Sequence, residues 1–181
     1  MAPVRKVYSG VPTLELHGLA LVSDLDGLQA HLVLDAPWGF ALRESEAWPR
    51  PVLVLTGNPC PHYLRDLLEH DPDGLIATPV GPEEVREALH RVAKGHKIRY
   101  LPELEPDPLC PREREILRLV ALGMTNAELE NRFGLKAKTV KNYVCNILDK
   151  LGMKSRVEVA LYYFGVHPML YTWSQTGHCP E

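Results

Sequence analysis

The spacing of apolar positions changes period along the chain. Two short runs come first: His31-Leu32-Val33-Leu34-Asp35, then Pro51-Val52-Leu53-Val54-Leu55-Thr56, which stops at the turn cluster Gly57-Asn58-Pro59. Short apolar runs bounded by turn residues predict buried strands. Gly74-Leu75-Ile76-Ala77-Thr78 is a third such run. Helical spacing lies between them. Pro61 opens a helix whose apolar residues are Leu64, Leu67 and Leu68, and Asp71-Pro72-Asp73-Gly74 stops it. Gly81-Pro82-Glu83-Glu84 opens another, with proline at its first position and acids where the helix dipole favours them. Val85, Ala88, Leu89 and Val92 follow at i, i+3, i+4 and i+7, and Gly95 ends it. Strands alternating with helices predict a parallel α/β sheet. Val4 to Tyr8 and Leu19 to Ser23 are further strand candidates, and Gly10, Pro12 and Gly18 interrupt any helix between them.

From residue 111 the period is helical throughout. A first helix runs from Pro111 to Leu122, with Ile116, Leu117, Val120 and Ala121 on one face, and Gly123 ends it. A second runs from Thr125, a good N-cap residue, to Phe133. A third runs from Ala137 to Leu151 with Val140, Val144, Ile147, Leu148 and Leu151 inward. A fourth runs from Arg156 to Phe164 with Val157, Ala160, Leu161 and Phe164 inward. Gly134 allows a sharp turn between the second and third helices, which together have the layout of a helix-turn-helix. Residues 101–111 hold four prolines in eleven residues, which suits neither a helix nor a central strand. The chain therefore divides into an α/β domain over 1–100, a Pro-rich linker over 101–110, an all-α four-helix domain over 111–165 and a tail over 166–181.

Charge supports this division. The 181 residues carry a net charge of −3, but residues 1–106 hold ten basic and fifteen acidic side chains, and residues 107–181 hold ten and eight. Within 136–156 there are six basic residues (Lys136, Lys138, Lys141, Lys150, Lys154, Arg156) and one acid, Asp149. A local basic patch on an acidic chain fits a nucleic-acid face, although a solvated helix surface has the same composition. Cys60, Cys110, Cys145 and Cys179 are widely spaced, without the pairing that a zinc site or disulfide framework needs. No nucleophile–base constellation, Gly-rich phosphate loop or metal cluster stands out, so neither an enzyme nor a cofactor is expected. No run approaches the ~20 apolar residues of a membrane span, and Met1 to Gly10 lacks the apolar core of a signal peptide. The expected location is the cytoplasm, with no membrane contact.

With Val140, Val144, Ile147 and Leu151 inward, helical geometry turns Lys138, Lys141, Asn142, Cys145 and Asp149 outward. Lys141 has the reach for a phosphate or a guanine edge, and Asn142 can pair bidentately with adenine. Lys138 and Thr139 lie at the helix start, where backbone N–H groups favour phosphate. Lys150, Lys154 and Arg156 are candidates for the flanking phosphates.

Residues 111–165 resemble the helix-turn-helix output domain of LuxR/NarL-type bacterial response regulators. The resemblance rests on Arg112-Glu113-Arg114-Glu115, Ala121-Leu122-Gly123-Met124-Thr125-Asn126, Thr139-Val140-Lys141-Asn142, Lys150-Leu151-Gly152 and Ser155-Arg156. It implies that the third helix enters the major groove of double-stranded DNA, that the protein works as a homodimer, and that the fourth helix supplies dimer contacts. Lys141, Asn142 and Cys145 would then face the groove, with Thr125, Asn126, Lys138 and Thr139 near phosphates. Five positions depart from the pattern. Glu130 stands where the family has a small residue at the crossing of the two helices, Lys136 replaces a capping Ser or Thr, Tyr143 replaces a common His, Asp149 replaces a basic residue, and Cys145 offers weaker base readout than a Ser or Lys. A carboxylate buried unpaired at that crossing would cost several kcal/mol.

Residues 1–100 resemble, less fully, a receiver domain of the same family, and His31 to Asp35 matches the strand that ends in its phosphoacceptor aspartate. By that match Tyr8, Ser9 and Gly10 stand in place of the cation-binding acid pair, and Thr78 in place of the lysine. Asp24 and Asp26 lie too close before Asp35 to replace the pair, since a helix, a strand and a second helix cannot fit between them. Without a cation and a lysine the phosphoryl charge has little stabilisation. The expectation is a truncated pseudo-receiver, with Asp35 a structural hydrogen-bonding residue and the output domain governed by a regulatory protein, a small ligand or expression level. Two alternatives stay open: a phosphorylation switch that uses Asp35, and an adaptor that has lost DNA binding.

Overall fold

The computed structural model describes residues 7–11 and 29–166. The chain forms two compact units, with the boundary between Leu104 and Glu105. The strand expected at 19–23 and the tail after Val166 lie outside the described residues.

The first unit is a parallel sheet of five strands: β1 (Val7–Tyr8), β2 (His31–Leu34), β3 (Val52–Leu55), β4 (Gly74–Ile76) and β5 (Ile98–Tyr100). They lie side by side in chain order, with Leu32 beside Leu53, Leu53 beside Gly74, and Gly74 beside Ile98. Among the described residues three α-helices accompany them: α1 (Phe40–Arg43), α2 (Pro61–Glu69) and α3 (Pro82–Ala93). A 3-10 turn, Ser45–Ala47, follows α1. The predicted stripe of α3 is fully used, since Val85, Ala88, Leu89 and Val92 pack on Leu32, Leu53, Ile76 and Ile98. Gly74 makes that contact possible. A Cβ there would stand 2.9 Å from Val92 Cγ2 and nearer still to Leu53 Cδ1. In α2, Leu64 and Leu67 are buried as expected and Leu68 is half-buried, while His62, Tyr63 and Asp66 are buried as well.

β5 is not foreshadowed by periodicity. It has one buried residue, Ile98, between Lys97 and Arg99, and it is held by backbone bonds from Ala77 N–H to the Tyr100 carbonyl and from Ile98 N–H to the Asp73 carbonyl. Lys97 and Arg99 also grip the loop before β4. Lys97 Nζ lies 2.9 Å from Asp71 Oδ2, Arg99 Nη2 donates to the Pro72 carbonyl, and Arg50 joins from across the sheet edge to Asp73 at 3.0 Å. The short α1 and its 3-10 turn are likewise new, and Trp48 is seated there by its indole N–H donating to the Ala41 carbonyl.

The second unit contains α4 (Pro111–Ala121), α5 (Asn126–Phe133), α6 (Ala137–Leu151) and α7 (Arg156–Tyr163). These bounds follow the predicted ones to within a residue, because proline, Thr125 and three glycines punctuate the pattern. Helix α4 packs against α6 and α7, and α5 packs against α6. Ile116, Leu117, Val120, Leu129, Val140, Ile147, Val159 and Tyr163 are buried. Val157, expected inward, is 62% exposed, and the α7 core contact comes from Val159 and Tyr163. The unit also claims the second half of the Pro-rich stretch. Leu109 is buried, Asp107 pairs with Arg114 at 3.2 Å, and Asp107 Oδ1 accepts from Leu109 N–H.

Candidate nucleic-acid interface

Helices α5 and α6 join at Gly134, whose φ of 62° places it in the left-handed region and closes α5. Glycine adopts that conformation without the penalty a Cβ brings. Leu135 N–H returns to the Glu130 carbonyl at 3.1 Å, so the turn is brief and fixed. Helix α6 then starts at Lys136, whose side chain makes no capping bond. Thr139 N–H and Val140 N–H donate to the Lys136 carbonyl at 2.9 and 3.1 Å, and the Lys136 side chain adds no further acceptor at this helix start.

Val140 and Ile147 bury one side of α6, with Val144, Leu148 and Leu151 half-buried beside them. The opposite side carries Lys138, Lys141, Asn142 and Cys145, all exposed, with Thr139 half-exposed. Steps of three and four residues place them in one stripe along the helix. Asn146, four residues after Asn142, is exposed as well and extends the polar edge. Sequence reasoning passed over it, although the i, i+4 spacing from Asn142 marks it. Asp149 is exposed at the far end of this side and contributes the one negative charge.

At the other helix start, Thr125 caps α5. Its Oγ1 accepts from Glu128 N–H at 3.3 Å, and Glu128 Oε2 accepts from Thr125 N–H at 2.6 Å and from the Thr125 hydroxyl at 2.8 Å. These bonds, the backbone one first, hold the Glu128 carboxyl below the usual carboxylate range. Thr125 is thus exposed beside a fixed negative charge. Asn126, half-buried, has a buried Oδ1 without a hydrogen-bond partner. Glu130 is half-exposed at the α5–α6 crossing, so the buried unpaired carboxylate considered from sequence does not arise.

Two of the predicted basic residues are bonded within the fold. Lys150 Nζ lies 2.6 Å from Glu113 Oε2, whose carboxylate is buried. Arg156 Nη2 donates to the Met124 carbonyl, tying the start of α7 to the approach to α5. Arg112 lies 3.8 Å above the Phe133 ring, a further tie between α4 and α5.

In the first unit Asp35 follows β2 and is 4% exposed. Its Oδ1 accepts from Gly39 N–H at 3.1 Å and Ala41 N–H at 2.9 Å, and its Oδ2 accepts from Thr56 Oγ1 at 2.7 Å and the Tyr63 hydroxyl at 2.8 Å. Burial pushes the carboxyl above its ordinary pKa, against these four bonds. Ser9 and Gly10, which follow β1, close on the loop after β2. The Ser9 hydroxyl donates to the Ala36 carbonyl at 3.1 Å, and Gly10 N–H reaches the same oxygen at 2.8 Å. Thr78 lines a cavity of about 340 Å³ with Leu55, Thr56, Ala77 and Pro79, at the C-terminal ends of β3 and β4. No helix among the described residues is long and apolar enough to cross a membrane.

A helix-turn-helix with a polar, basic outer stripe, joined to a parallel α/β unit with an aspartate after a strand, is the layout of a two-domain bacterial regulator. Residues 107–163 match the family described as bacterial regulatory proteins, luxR family. The chain is 34% identical over 113 residues to the transcriptional regulatory protein DesR of Bacillus subtilis (strain 168), covering 59% of this chain and 56% of DesR. It is 32% identical over 111 residues to the nitrate/nitrite response regulator NarL of Escherichia coli (strain K12), covering 52% and 51%. To the transcriptional regulatory protein UhpA of Salmonella typhimurium (strain LT2) it is 31% identical over 144 residues, covering 76% and 67%. A solved structure of RcsB from Salmonella enterica serovar Typhimurium, bound to a promoter, aligns at 21% identity and a TM-score of 0.46 over 88% of this chain and 97% of that one. The chain spans about half the length of the first two of these relatives. It belongs to the luxR family of bacterial regulatory proteins.

Proposed function

We propose that this chain is a transcriptional regulator that binds double-stranded DNA through α6, as a homodimer in the cytoplasm, and that its α/β unit is a pseudo-receiver and not a phosphorylation switch. The observation that carries the DNA reading is the exposed stripe Lys138, Lys141, Asn142 and Cys145 on the helix that follows the Gly134 turn. Lysines at both levels of the stripe supply phosphate attraction, and Asn142 supplies the directional hydrogen-bonding group that distinguishes bases. Thr139 lies at the start of α6, where the helix dipole favours phosphate, and the resemblance assigns Thr125 and Asn126 to flanking phosphates, although Glu128 already accepts from Thr125 N–H. Cys145 offers weaker base readout than a serine or lysine. Nothing in this assembly needs a cofactor or enzymatic chemistry.

The pseudo-receiver reading rests on Asp35. All four of its hydrogen bonds are made within the fold, and a phosphoryl group at either oxygen would displace two of them. By the resemblance Tyr8, Ser9 and Gly10 stand in place of the acid pair and Thr78 in place of the lysine, so at these positions the charge of a phosphoryl group would meet hydroxyls and no cation. Control then falls to a regulatory protein, a small ligand or the amount of the chain.

Genome-wide mapping of bound DNA with a gel-filtration mass is the decisive experiment. Discrete bound sites and a dimer mass are expected. Absence of salt-sensitive DNA affinity would leave the adaptor reading in its place.

A further inference from the structure

Glu113 is an unusual residue to bury. It sits in the first turn of α4, its side chain 6% exposed, and its Oε2 is shared by two donors on different elements: Cys110 N–H at 2.9 Å and Lys150 Nζ at 2.6 Å. The first bond caps α4. The second reaches the penultimate residue of α6. One carboxylate therefore joins the segment leading into the helical unit to the C-terminal end of the helix proposed to read DNA. Asp107 and Arg114 make a parallel tie on the same segment, at 3.2 Å with both side chains largely covered.

This arrangement bears on Lys150. Its side chain is 40% exposed, so composition and exposure alone would count it among the phosphate-binding lysines. Turning to a phosphate, however, would leave Glu113 buried without its cation, and an uncompensated buried charge costs far more than an exposed ion pair returns. Burial pushes the Glu113 carboxyl up, yet Lys150 and Cys110 outweigh it and hold it below the usual carboxylate range. Arg156 is likewise bonded within the fold, to the Met124 carbonyl. Of the six basic residues over 136–156, Lys136, Lys138, Lys141, Lys150 and Lys154 are exposed and Arg156 is half-buried, so it is the bond to Glu113, and not exposure, that sets Lys150 apart.

We infer that the Glu113–Lys150 pair is a positioning device: it sets the C-terminal end of α6 against α4, and Lys150 acts on DNA through that placement and not by touching phosphate. This inference rests on the DNA-binding reading above.

The test uses the full chain and a labelled 30-base-pair duplex of mixed sequence, with affinity measured across a series of salt concentrations. Lys141→Ala is the control for a phosphate contact, and the slope of log affinity against log salt should fall by about 0.9. In Lys150→Met the slope should stay at the wild-type value while affinity drops roughly tenfold at every salt concentration, as the coupling of contacting residues allows. Lys150→Arg, which keeps the cation beside Glu113, should restore affinity. A slope reduced by about 0.9 in Lys150→Met would make Lys150 an ordinary phosphate contact and overturn the inference. Wild-type affinity at every salt concentration would make the pair purely structural and overturn it as well. If circular dichroism shows Lys150→Met unfolded, Lys150→Gln, which keeps a donor for Glu113 without the charge, decides on the same two readouts. A wild-type chain with no salt-dependent affinity removes the DNA reading itself, a result separable from every variant outcome.

Discussion

The Tyr63 hydroxyl donates to Asp35 Oδ2 at 2.8 Å, joining α2 to the end of β2 across 28 residues of chain. The same hydroxyl accepts from Gly39 N–H at 3.1 Å, so the tyrosine closes a ring with the loop that Asp35 itself holds. Burial and then the Asp35 charge push the Tyr63 hydroxyl far above its ordinary pKa, which keeps it a donor at every accessible pH.

Removing that donor has a definite cost. Tyr63→Phe should lower stability by about 1–3 kcal/mol, the range for losing a hydrogen bond to a buried charged acceptor. Asp35→Ala strands the Ala41, Thr56 and Tyr63 donors at once, while Gly39 N–H keeps the Tyr63 oxygen, and should cost more than Tyr63→Phe. Chemical denaturation of both variants checks the order. Incubation of the wild-type chain with acetyl phosphate and Mg²⁺ should leave its intact mass unchanged. A stoichiometric gain of about 80 Da, absent in Asp35→Asn, would instead establish the phosphorylation switch.

On the helical unit, Lys141→Ala should weaken DNA binding across all sequences and flatten its salt dependence. Mobility shifts at two salt concentrations suffice. Unaltered binding would mean that another face of the unit meets the nucleic acid.

Two of the buried carboxylates, Glu113 and Asp35, predict opposite pH behaviour. Glu113 titrates lower in the folded state than in the unfolded chain, so its contribution is present above the unfolded value near 4.5 and is lost as pH falls through the folded value. Asp35 titrates higher when folded, so its contribution is full below the unfolded value near 3.8 and is lost as pH rises through the folded value. Glu113→Gln should therefore flatten the acid loss of stability, and Asp35→Asn should not. Urea midpoints measured between pH 3 and 7 separate them.

Gly74→Ala should destabilise the α/β unit by about 1–3 kcal/mol, the usual range for overpacking, because the new methyl meets Leu53 and Val92. A thermal melt reads this directly. A smaller loss in Gly74→Ala combined with Val92→Ala would locate the clash.

Much of this fold was legible in the sequence. β2, β3 and β4 are apolar runs stopped by turn residues, and α3, α4 and α6 carry both a 3.6-residue stripe and the residues that begin and end helices, whereas α5 is marked by Thr125 and Gly134 and the stripe read for α7 wrongly includes Val157. β5 was not legible, because a single buried residue between two cations has no period, and its hydrogen bonds come from a strand far away in sequence. Tyr63 gave no signal either. It looks like any aromatic residue on an amphipathic helix until Asp35 is placed beside it. The stripe on α6 followed from spacing alone, whereas the roles of Lys150 and Arg156 did not. A cation reads the same in a sequence whether its partner is a phosphate or a buried carboxylate 37 residues away.

The closure of Gly10 on the loop after β2 fixes what position 10 can hold. A Cβ at position 10 would stand 2.8 Å from Pro37 Cδ and 2.9 Å from the Ala36 oxygen. Any side chain larger than a hydrogen at position 10 therefore needs the loop to shift with it, so residue and loop can change only together.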